Sequence, residues 1–226
     1  MFTALALALL LQDTPAEFFK KVEEKYESAK SLSLSTEVRI FNTSEGKTVE
    51  KGPMVGKLKS KGDGRIHVEY SVMVGGTPTL IATYISDGKA LSMKSSGRAA
   101  ERKDHTLALG MWARRFCARA GLTASMGSTF GSVFRSDEIK LDKLFIVSAI
   151  TDGGKEKIGD VECRIVSYQM TQIQGPDNPL KCRMWVDPAT LVVLKHELVD
   201  RSTTIREVHS DVTFDAEIAE DSFKLP

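Results

Sequence analysis

Residues 104–134 read DHTLALGMWARRFCARAGLTASMGSTFGSVF and stand apart from the sequence on either side. Leu109, Trp112, Phe116 and Ala120 recur at three- and four-residue steps, so they share one face of a helix. Arg114, Arg115 and Arg119 fall beside that stripe. After Gly121 a looser run carries Met126, Phe130, Val133 and Phe134 among Gly, Ser and Thr. Elsewhere the sequence mostly alternates at period two, the mark of half-buried strands. An apolar helical stripe inserted among strands packs on their sheet, either as plain core or as the cover of an apolar cavity. Both readings are open at this point.

Upstream of the insertion, Thr14-Pro15-Ala16-Glu17 combines a Thr N-cap, a proline at the first helical position and a glutamate at the third. It predicts a helix to about Lys30, with Phe18, Phe19, Val22, Tyr26 and Ala29 on one face. Strands are expected at 32–41, 54–61, 66–72, 79–86 and 89–94, with turns at Gly62-Asp63-Gly64, Gly75-Gly76 and Asp87-Gly88. Residues 42–52 and 95–105 read as polar connections. Downstream, strands are expected at 144–150, 161–170, 180–187, 191–200 and 203–214, with 152–160 a glycine-bearing connection. That gives about ten or eleven strands, no repeat and no long linker.

The composition suits one globular domain. Of 226 residues, 42% are hydrophobic and 27% charged, enough apolar material for a sizeable core. A net charge of +1 gives no bulk attraction to nucleic acid, and the three arginines of the insertion form a local patch only, from which no aromatic-interleaved basic face extends. Residues 2–11, FTALALALLL, are too short to span a bilayer but match the apolar part of a secretory signal peptide. The expectation is therefore a signal segment over 1–13, a single domain over 14–226, and export.

Cys117, Cys163 and Cys182 have neither zinc-site nor redox spacing. A hairpin turning at 175–179 sets Cys182 opposite about residue 172, too far from Cys163 for a disulfide, so free buried thiols are expected. The histidines His67, His105, His196 and His209 are dispersed, and no nucleophile elbow, phosphate loop or dinucleotide fingerprint is present. No enzyme chemistry, cofactor or metal is expected.

Several local motifs, taken in order, resemble the LolA-like superfamily of bacterial envelope proteins. They are the signal-like start, the helix leading into 32–41, Ile85-Ser86-Asp87-Gly88-Lys89-Ala90-Leu91, Gly159-Asp160-Val161-Glu162-Cys163, Met184-Trp185-Val186-Asp187-Pro188, and Phe214 with Phe223-Lys224-Leu225-Pro226. The resemblance is strongest to uncharacterised predicted periplasmic members. It implies an α+β fold, a half-open antiparallel β-barrel with an N-terminal helix and a helical lid on its concave face. It also implies a hydrophobic ligand, a lipid or the acyl chains of a lipoprotein, exchanged with a membrane-associated donor or acceptor by a periplasmic monomer. On that reading Leu109, Met111, Trp112, Phe116, Met126 and Phe130 line the cavity and lid, with hinges at Gly110, Gly121, Gly127 and Gly131. Arg39 is the candidate lid contact. The alternative is a sensor or protein-interaction module of the envelope with the same fold and no transport role.

Overall fold

The computed structural model describes residues 13–95, 98–103, 108–133, 145–172 and 178–226, with the backbone alone for 124–133 and Gln172. The apolar run 2–11 and His105 lie outside the described residues. Helix α1, Pro15–Ser28, starts as its capping box requires. The Thr14 amide donates to the Glu17 carboxylate at 2.9 Å while the Glu17 amide donates back to Thr14 Oγ1 at 3.3 Å. Its buried face is Phe18, Phe19, Val22 and Tyr26.

Strands β1 (Ser31–Ser44), β2 (Lys47–Lys61), β3 (Arg65–Val74), β4 (Thr77–Asp87), β5 (Leu91–Ser95) and β6 (Arg98–Arg102) follow as a meander. Helix α2, Leu109–Val133, comes next, and a second meander completes the sheet: β7 (Phe145–Ile158), β8 (Val161–Gln172), β9 (Leu180–Val186), β10 (Val193–Asp200) and β11 (Thr203–Phe214). The two meanders join where the first strand pairs with the last, from Leu32 opposite Phe214 to Asn42 opposite Thr203. The result is one antiparallel sheet of eleven described strands, in the order β6-β5-β4-β3-β2-β1-β11-β10-β9-β8-β7. Its edges, β6 and β7, are the two strands that α2 connects in sequence.

Laid flat, eleven strands would span about 48 Å. Yet α2, a helix about 10 Å across, touches β1, β2 and β3 in one half and β9, β10 and β11 in the other, while α1 rests on α2 and β7. The sheet therefore curls around the helices without closing. One core fills the interior: Leu32, Leu34, Leu58, Ile66, Val68, Val166, Met170 and Met184 from the strands meet both helices. On the outer face, Cys163, Ile165 and Trp185 form a small second cluster. The short 3-10 turn Glu220–Phe223 packs on β3 and β4 and buries Phe223.

The strands are longer than the alternation suggested. Residues 47–53 belong to β2, although their polar side chains point to solvent, because backbone pairing with β1 continues to Lys47 opposite Ser44. Arg98–Arg102 is a strand paired with β5, and Asp152–Ile158 continues β7 against β8 through two bulges. An exposed edge needs only backbone pairing, so its side chains carry no apolar signal. The three thiols are free and buried. Cys182 stands opposite Tyr168 rather than residue 172, so the hairpin register differs from the one inferred while the thiol state agrees.

Candidate functional site

Helix α2 is two helices joined at a kink. Gly121 interrupts it with φ 74° and ψ 177°, a conformation that only glycine holds without strain. Of the four glycines expected as hinges, this is the one with non-helical backbone.

The segment before the break is anchored along its whole length. The amides of Gly110 and Met111 both donate to the Asp63 carbonyl, at 2.7 and 3.1 Å. The buried Arg114 guanidinium donates to Ser60 Oγ at 2.8 Å and to the Gly62 carbonyl at 2.7 Å. Burial lowers its pKa, and the charges of Asp63, Asp215 and Glu27 oppose that shift. Arg119 pairs with Glu23 of α1, and the Tyr168 hydroxyl donates to the Arg119 carbonyl. Trp112 packs on Phe116, and Phe116 meets Phe145 edge-on at 5.0 Å.

Leu109, Trp112 and Phe116, expected to line a cavity, are thus in the core, at 0, 4 and 4% exposure. Met111 is half-buried at the helix start. The side chains of Met126 and Phe130 lie outside the described part of the structure. Arg39 is not a lid contact. Strand alternation turns Val38 inward and Arg39 outward, where it pairs with Glu37 at 2.9 Å and Glu50 at 2.7 Å.

The segment after the break starts on a carboxylate. Glu207 of β11, 1% exposed, accepts from the amides of Leu122 at 2.7 Å and Thr123 at 2.6 Å, two donors that a helix start leaves open. A Cβ on Gly121 would stand 2.5 Å from Glu207 Oε2, so the glycine also makes room for this grip. Beside it, His209 donates from Nδ1 to the Val193 carbonyl at 3.1 Å, which leaves Nε2 facing Glu207 Oε2 at 3.6 Å.

Burial alone would push the Glu207 carboxyl up. The His209 ring, the nearby His196 and Thr123 outweigh it and hold the group below the ordinary carboxylate range. It is ionised at neutral pH. His196, whose Nε2 meets the Cys117 carbonyl at 2.9 Å, is pushed down to about 3 by burial and by His209, and is neutral. Burial, then the charge of Glu207, pushes the Cys117 thiol and the Tyr70 hydroxyl well up, so neither is a nucleophile or base.

The sequence reading missed this cluster. Its one signal was parity: Ile205, Glu207 and His209 share a strand face, and Ile205 packs against the core. Among the described residues, no group of three or more His, Cys, Asp and Glu side chains is arranged to hold a metal. A cavity of about 270 Å³ opens on the outer face of β7–β10, among Thr151, Ser167, Gln169, Lys181, Arg183 and Glu197. It lies across the sheet from the helices, and none of the residues expected to bind ligand lines it.

No family model matches the sequence, and no curated protein matches it. Among solved structures, the chain is similar to lipoprotein LppX of Mycobacterium tuberculosis, at 9% identity over 92% of this chain and 98% of that one, with a TM-score of 0.49. It is similar to LprF from Mycobacterium bovis, at 11% identity over 91% and 94% of the two chains, with a TM-score of 0.46. A LolA superfamily protein from Nitrosomonas europaea aligns at 12% identity over 95% and 99%, with a TM-score of 0.40. The described architecture is the one the sequence led us to expect, an open antiparallel sheet wrapped around an N-terminal helix and a helix inserted between its two edges.

Proposed function

We propose that the protein is an exported carrier, without enzymatic activity, for a lipid or for the acyl chains of a lipidated protein. The ligand enters between the curled sheet and the segment of α2 after Gly121. The observation that carries this reading is the break itself. It divides a helix packed as core from a segment whose first turn hangs on the Glu207 carboxylate, so the second part can lift while the first holds the fold. The apolar interior facing it suits acyl chains.

Native mass spectrometry on protein purified gently from its own cell envelope tests this. The expected result is a bound mass that disappears on organic extraction and fragments to acyl chains, on a chain lacking its first residues. A clean apo mass, with no uptake of a fluorescent fatty acid, overturns it.

The second reading, an interaction module, is favoured by one observation. Val49, Val74 and Leu80 are 58, 58 and 57% exposed near the β1–β2 and β3–β4 turns, at one end of the sheet. Cross-linking from that end to one envelope protein, in cells where no lipid co-purifies, would select it.

A further inference from the structure

Beneath the break in α2, the strand register sets four positions side by side. Tyr70 of β3 stands opposite Gly56 of β2, Gly56 opposite Thr36 of β1, and Thr36 opposite His209 of β11. Thr36, Tyr70 and His209 are 1, 7 and 4% exposed. A Cβ on Gly56 would stand 2.7 Å from Thr36 Cγ2, 3.0 Å from Tyr70 Cε1 and 3.1 Å from Leu122 Cδ2, so the row and the helix close in on that missing side chain. Thr123, in the first turn after the break, comes down within interacting range of the Tyr70 hydroxyl and of Glu207.

Four polar atoms of this group are shut off from solvent and make no hydrogen bond of ordinary length: Thr36 Oγ1, Tyr70 OH, Thr123 Oγ1 and His209 Nε2, the last facing Glu207 Oε2 at 3.6 Å. Buried polar groups nearly always have partners, and several orphans in one place mark somewhere a partner belongs. Three of the four are hydroxyls that donate readily to a carbonyl oxygen. Glu207, next on the inward face of β11, already has its oxygens occupied by the Leu122 and Thr123 amides. Its negative charge, in a low-dielectric interior, opposes a second anion.

We propose that this row is a subsite for the carbonyl of a neutral acyl ligand, an ester or an amide, and that Glu207 beside it turns free fatty acids away. The proposal rests on the acyl-carrier reading and adds the chemistry of the ligand's polar end. Entry requires the segment after Gly121 to lift, carrying Thr123 with it.

The test uses the full chain stripped of bound lipid and loaded with N-phenyl-1-naphthylamine, a neutral fluorescent probe. Methyl laurate, lauramide and laurate then compete for it at pH 8. The ester and amide are expected to displace the probe at concentrations about tenfold or more below laurate. A neutral ligand also enters any apolar cavity more readily than an anion, so the deciding comparison is with Tyr70→Phe/Thr36→Val, which removes two hydroxyls at nearly constant shape. In that variant the ratio of ester to laurate affinity should fall about tenfold while probe uptake and the thermal melt persist. Should the double variant fail to fold, Tyr70→Phe alone, which removes a single oxygen, should lower the ratio about threefold. An unchanged ratio in a folded variant overturns the subsite, leaving the row to buried water. Failure of the native protein to take up the probe or any laurate derivative overturns the carrier reading and this one with it.

Discussion

Helix α2 holds two segments with different sequences and different physical footings. Residues 109–120 are fixed by large apolar contacts to both halves of the sheet, by a buried guanidinium on the β2–β3 turn and by an ion pair to α1. The segment after Gly121 begins on two backbone amides held by a buried, ionised glutamate. The first kind of attachment is nondirectional, distributed over many atoms and hard to undo locally. The second is directional and concentrated in two charge-assisted bonds, so it is strong while intact and lost in one step.

The largest expected effect falls on the first segment. Phe116→Ala should cost about 3–5 kcal/mol, because it removes a ring packed between Trp112 and Phe145 and leaves a cavity. Urea denaturation measures it. A loss under about 1 kcal/mol would mean that this segment is loosely packed and erase the contrast.

Next comes Glu207→Ala, which orphans the two amides and strips His209 of its facing charge. It should cost about 3 kcal/mol overall. Hydrogen exchange would sharpen the comparison: protection should fall from Leu122 onward while the amides of residues 113–120 keep theirs. Equal loss on both sides of Gly121 would show one cooperative helix.

Acid should act on the same grip, more gently. Glu207 titrates below its unfolded value of about 4.3, so its contribution is complete above that pH and is lost as pH falls through the lower folded value. Thermal melts between pH 6 and pH 2 should therefore decline at the acid end, and Glu207→Gln should flatten that decline. A Glu207→Gln curve that keeps the full native slope would place the acid sensitivity elsewhere. The smallest effect is Arg39→Ala. Removing an exposed pair on the outer face should leave both the melt and probe uptake unchanged within error.

Much of the architecture was legible because local chemistry decided it. The α1 capping box, the Gly62-Asp63-Gly64 turn and the alternation Ile66, Val68, Tyr70 each act over a few residues, and each formed as read. The stripe Leu109, Trp112, Phe116, Ala120 was legible as a buried helical face, but periodicity does not distinguish a cavity wall from a packed core. Arg39 was misplaced for a related reason: a strand position gives a face, and the partner on that face comes from another strand.

The sequence by itself determined the start of α1, most of the strands and the turns between them, and it offered four glycines as hinges, since these follow from side-chain entropy, backbone sterics and period; the structure placed the break at Gly121. Tertiary structure alone decided that β1 pairs with β11, and with that pairing what Glu207 and His209 do. A glutamate and a histidine alternating with Arg206 and Val208 give no sign in sequence of which strand face is buried. Only the register that sets Val38 opposite Glu207 and Thr36 opposite His209 turns them inward beneath α2. There the Leu122 and Thr123 amides, 84 or more residues earlier in the chain, offset the cost of burying a charge.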